Sequence, residues 1–122
     1  MSSSLREAAK QIEIELGDKV TSLLCNIKAI KDEMLDFEKR ISIVENDEGI
    51  SLQCLLRKKS NELNDLSDSV VLISRDAWVK FNYLAQRCES EGSNPTLLEP
   101  VRVLCKTIEV IAADLLCFSL GH

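Results

Sequence analysis

The segment ENDEGIS, Glu45 to Ser51, decides the fold, because it is the only convincing turn before residue 90. Asn46, Asp47 and Gly49 adopt turn or left-handed conformations at little cost, and Ser51 can cap a helix that follows. On both sides the apolar residues recur at helical spacing. Upstream they fall at Leu5, Ala9, Ile12, Leu16, Val20, Leu23, Ile27, Ile30, Met34, Phe37, Ile41 and Val44. Steps of three and four alternate nearly throughout, which is one apolar seam along one helix. Ser4 with Glu7 reads as a capping box at its start. The single irregularity, two consecutive steps of four from Ile12 to Val20, coincides with Gly17, which permits a kink or a division of the helix.

Downstream of the turn the seam resumes at Leu52, Leu55/Leu56, Leu63, Leu66, Val70, Ile73, Ala77, Phe81, Leu84 and Cys88, with Lys59 interrupting it. Two helices of similar length joined by a short turn must lie antiparallel. The expected hairpin therefore pairs a helix over about 4–45 with one over about 51–91. ESEGSNPTLLEP, Glu89 to Pro100, then ends the second helix. Gly92 suits a C-terminal cap and Asn94-Pro95 cannot continue the helix. A third helix over about 97–118 restarts with Thr96-x-x-Glu99 as a capping box or with Pro100 at its first position.

The segment RDAWVKFNYLAQRC, Arg75 to Cys88, carries three of the five aromatic residues. Phe81 falls on the main seam and Trp78 on its shoulder, beside Val71 and Ala85. The apolar face of the second helix is thus narrow from Leu52 to Leu66 and wide from Val70 to Cys88. A narrow seam satisfies one neighbour and a wide one needs two. The short third helix should land on the wide part, with Trp78 wedged at the junction.

That helix has a main face of Leu97, Val101, Leu104, Ile108, Ile111, Leu115 and Phe118, widened by Leu98, Cys105, Ala112 and Leu116. Val103, Val110 and Cys117 form a second strip, at seven-residue spacing, on roughly the other side. Leu72, Val79 and Tyr83 likewise fall opposite the seam of the second helix. These six residues are the candidate partner-binding positions. Because the third helix spans only about half of the hairpin, the distal half, Ile27 to Leu66, is expected as a two-helix arm that gains stability by further pairing.

Composition narrows the function. A net charge of −5 disfavours non-specific binding to nucleic acid or anionic membrane, both of which reward clustered bases. The single basic cluster, Arg57-Lys58-Lys59, is short and is followed by Glu62 and Asp65. Catalysis has little to work with, since the only histidine is the final residue, His122. Five scattered cysteines without a C-x-x-C read as free thiols, with no metal site and no cofactor. Cys88, Cys105 and Cys117 can be neighbours at the base of the bundle. A polar, charged start and no long apolar run indicate a cytoplasmic chain, or a nuclear one.

The expectation is an all-α single domain: a long antiparallel hairpin with a shorter third helix on its base, a three-helix bundle, or four-helix if Gly17 divides the first. In outline this is similar to spectrin-like three-helix bundles, although no motif specific to them is present. The expected function is a non-enzymatic helical subunit or adaptor, forming homo- or hetero-oligomers through the third helix and the distal hairpin. The alternative is a small-molecule or lipid binder with a pocket near Trp78.

Overall fold

The computed structural model of the chain describes residues 2–120, and the side chains of residues 4–118. They form three helices: α1 (Ser2–Ile41), α2 (Asn46–Glu91) and α3 (Glu99–Leu120), with one 3-10 turn (Pro95–Leu98) before the last. There is no strand among the described residues, and the protein is an all-α helical bundle.

α1 and α2 lie antiparallel. Arg87 donates to the Ser4 hydroxyl at 3.4 Å, Lys80 meets Glu15 at 3.1 Å, and Lys59 meets Glu33 at 2.7 Å. These three contacts mark successive rungs from the base of the hairpin towards its turn. The seam beneath them is the expected one. Leu5, Ala9, Leu16, Leu23, Ile27 and Met34 are buried, and Ile12, Val20, Ile30 and Phe37 are half-buried. On α2, Leu52, Leu63, Val70, Ala77, Leu84 and Cys88 are buried, and Ser67 and Ser74 join them at intervening heptad positions. Each fully buried leucine contributes about 1.5–3 kcal/mol relative to an exposed one.

Several expected boundaries shift, for local reasons. Ser4 is not a cap, because the helix already runs from Ser2. α1 passes through Gly17 undivided, so the described residues form three α-helices and not four. α1 ends at Ile41 and not near residue 45, and α2 begins at Asn46 and not at residue 51. The turn is thus Ser42–Glu45, and NDEGIS is the first part of α2. Asp47 and Glu48 stand in that first turn, where carboxylates favour the positive end of the helix dipole. Val44 folds back over Gly49, which is buried and would place a Cβ only 4.0 Å from a Val44 methyl.

The end of α2 follows expectation. Gly92 has φ 68°, Ser93 N–H donates to the Cys88 carbonyl at 3.0 Å, and Gly92 N–H donates to Glu89 at 3.2 Å. This pair of bonds satisfies the last carbonyls and needs a left-handed residue, which glycine supplies without a Cβ penalty. The next cap is Asn94 and not Thr96: its side-chain oxygen accepts from Thr96 N–H at 3.0 Å and starts the 3-10 turn with Pro95 first.

α3 runs back along the base, touching both other helices. Leu98, Val101, Cys105, Ile108, Ile111, Ala112 and Leu115 are buried beneath it. Leu116, expected to widen that face, is exposed at its edge instead. With 22 residues α3 spans about 33 Å, against about 60 Å for α1 and about 69 Å for α2. Lys31 over the Phe118 ring, 4.6 Å from its centroid, marks how far α3 reaches along α1. Beyond it the hairpin continues as two helices alone. Among the described residues no helix is long and apolar enough to cross a membrane.

Candidate functional site

Trp78 stands where α2 and α3 meet. Its indole N–H donates to Glu109 Oε2 at 3.1 Å, and its ring meets Phe81 edge-on, with centroids 5.5 Å apart at 86°. It is half-buried, not enclosed. The buried Cys105 thiol on α3 donates to the Ala77 carbonyl of α2 at 3.4 Å. Loss of water around that thiol, with the Glu109 carboxylate nearby, pushes its pKa up to about 11. The junction is therefore a structural lock. Cys105 is not an activated nucleophile, since reactive thiols have lowered pKa values.

The six candidate positions are all on the surface. Val103 is 49% exposed and Val110 55%, and Cys117 is exposed with them. At 100° per residue these three point directly away from Val101, Ile108 and Ala112. Leu72, Val79 and Tyr83 are 63%, 65% and 56% exposed, opposite the buried line of α2. Each strip lies on the back of its own helix, so the two face in different directions and do not merge into one surface. Arg87 lies 5.9 Å from the Tyr83 ring centroid and covers part of that side chain.

The α3 strip has a neighbour that spacing alone did not single out. Leu24 of α1, half exposed, joins Val103, Thr107, Val110 and Ile111 in lining a groove of about 380 Å³ between α1 and α3. The doublet Leu23-Leu24 was the available signal: one leucine fills the seam and its neighbour must lie off it. Arg102 and Lys106 line the same groove.

A second cleft, of about 430 Å³, opens between α2 and the start of α3. Phe81, Ala85, Cys88, Pro95 and Leu98 form its apolar wall, and Glu89, Glu99 and Arg102 its rim. It lies near Trp78 but is not lined by it. Arg102 grips Glu99 through both carboxylate oxygens, at 2.6 and 3.1 Å, which holds that carboxyl below its ordinary pKa.

The distal arm is closed along its seam by Met34, Leu52 and Leu63. Lys59, on that seam, lays its stem inward and carries its ammonium out to Glu33 and Glu62, at 2.7 and 3.2 Å. Leu35, Ile43, Ile50 and Leu55 remain exposed along the arm and its tip.

Of the three cysteines expected to be neighbours at the base, Cys88 and Cys105 are buried while Cys117 faces outward. No group of three His, Cys, Asp or Glu among the described residues is arranged to hold a metal ion. His122 lies outside the described residues. Comparison with protein-family models, curated proteins and solved structures finds no match to this chain.

Proposed function

We propose that this chain is a non-enzymatic helical subunit or adaptor that docks partner helices on the outer faces of its base. One observation carries this reading above the others. Val103 and Val110 sit seven residues apart on the back of a helix whose core face is already filled, and Leu24 of α1 extends them into a groove. Scattered apolar residues are ordinary on a surface, but a strip in heptad register presents a seam to another helix. The five free thiols, three of them exposed, support a reducing compartment, the cytoplasm or nucleus.

A photoreactive amino acid at Val103 tests the docking. It should give a discrete protein adduct in the native cell, whereas the same residue at Asp18, exposed on α1, should not. Equal labelling from both positions, or from neither, would contradict a docking face.

A second reading is favoured by the cleft at Phe81, whose volume and mainly apolar wall fit a small apolar ligand. Binding of a fatty acid or a detergent monomer by calorimetry, lost when Ala85→Trp fills the cleft, would support it. No binding up to the solubility limit of the ligand would exclude it.

A further inference from the structure

We infer that the cleft between α2 and the start of α3 selects a primary amine on an apolar body. This rests on the second reading above and deepens it by naming the charge of the ligand. A volume of about 430 Å³ accommodates a short alkyl chain, and Phe81, Ala85, Pro95 and Leu98 give it an apolar bed. Nothing inside the cleft calls for a polar group. Among the described residues no buried side-chain nitrogen or oxygen lacks a partner, and the Cys88 thiol on the wall already donates to the Ser93 carbonyl at 3.2 Å. The inner part of the ligand is therefore hydrocarbon, and its polar group sits at the mouth.

The rim sets the sign of that group. Glu89, Glu99 and Arg102 are the charged residues that line the cleft. Arg102 is spent on Glu99, which it meets through both carboxylate oxygens at 2.6 and 3.1 Å. With that pair set aside one charge is left, the exposed carboxylate of Glu89, which makes no ion pair among the described residues.

The two helix ends that meet here make the same distinction. A helix is partly positive at its N-terminus and partly negative at its C-terminus. Glu99 stands in the first turn of α3 and answers its positive end. The last turn of α2 holds no base, and Glu89 and Glu91 add to an end that is already negative. Arg87 answers Glu91 at 3.2 Å from one turn back, and Glu89 goes unanswered. A cation at this rim gains from the carboxylate and from the helix end, and an anion is repelled by both.

The test is calorimetry with octylamine, octan-1-ol and octanoate at about pH 7, where an alkylamine is protonated as a lysine side chain is. Octylamine should bind about fivefold more tightly than octan-1-ol, the upper end of what an exposed ion pair gives, with octanoate the weakest. Glu89→Gln, on an exposed site, should bring octylamine to the affinity of octan-1-ol and leave octan-1-ol itself unchanged. Glu89→Lys should reverse the order of amine and carboxylate. In a parallel NMR titration, the methyl resonances of Ala85 and Leu98 should move with octylamine, which places it in the cleft. Octan-1-ol binding as tightly as octylamine, or an amine preference that survives Glu89→Gln, would overturn the inference and leave the cleft as a site for neutral apolar ligands. Octylamine binding that leaves the Ala85 and Leu98 methyls unmoved would overturn it too. Absence of binding by all three would remove the inference and the second reading together.

Discussion

The indole of Trp78 on α2 donates to the carboxylate of Glu109 on α3 at 3.1 Å, while its ring stands edge-on to Phe81. A residue that bridges two helices and stays half-open to water contributes less than an enclosed one. Trp78→Ala should therefore cost about 2 kcal/mol, below the 3–5 kcal/mol of a fully buried tryptophan. Chemical denaturation measures it. A loss near zero would show that α3 does not lean on this side chain.

Cys105 makes stability fall at alkaline pH. Its thiol titrates near 9 when unfolded and near 11 in the fold, so the neutral form is favoured by folding. Its contribution is complete below pH 9 and is lost as pH rises towards 11. Lysines with raised pKa values, Lys28, Lys59 and Lys80, act in the same direction at somewhat higher pH. Urea melts of wild type and Cys105→Ala between pH 8 and pH 11 separate the thiol's share. Identical pH slopes in the two proteins would rule it out.

The two glycines at Gly17 and Gly92 should respond oppositely to alanine. Gly92 has φ 68°, and alanine there should cost about 1 kcal/mol. Gly17 lies within α1 with open space where a Cβ would go, and alanine there should stabilise by up to about 1 kcal/mol. Thermal melts of both variants give the comparison, and effects of the same sign would refute it.

Lys59 is the place where the arm gives up apolar contact for an ion pair. Lys59→Met keeps the length of the stem and closes the seam, and should stabilise the arm by about 1 kcal/mol. Hydrogen exchange of the amides around Leu56 and Leu63 reads the arm directly. Faster exchange in the variant would mean that Glu33 and Glu62 hold the arm together through Lys59.

The seams were legible residue by residue, because a buried line along a long helix has only one period to follow. Boundaries were less so. Val44 continues the apolar count of α1, yet the helix ends at Ile41 and Val44 belongs to the turn, beside Gly49 of α2. Thr96-x-x-Glu99 matches a capping box, but Asn94 reaches the Thr96 amide first and sets the 3-10 turn. The candidate strips were readable as positions opposite a core face. Their grouping was not: only the placement of α3 beside α1 brings Leu24 to Val103 and Val110, and leaves Leu116 exposed at the edge.

The docking claim is tested most directly by the yield of photo-adduct from Val103 in chains that also carry Val110→Glu, with a circular dichroism melt of each. Val110 is 55% exposed, so the change should alter stability by less than about 0.5 kcal/mol. Ile108→Glu, in the fully buried line of α3, should instead unfold the base. The account predicts that Val110→Glu keeps the wild-type melt and abolishes the adduct. A Val110→Glu chain that unfolds as Ile108→Glu does, or that keeps its full adduct, would contradict it.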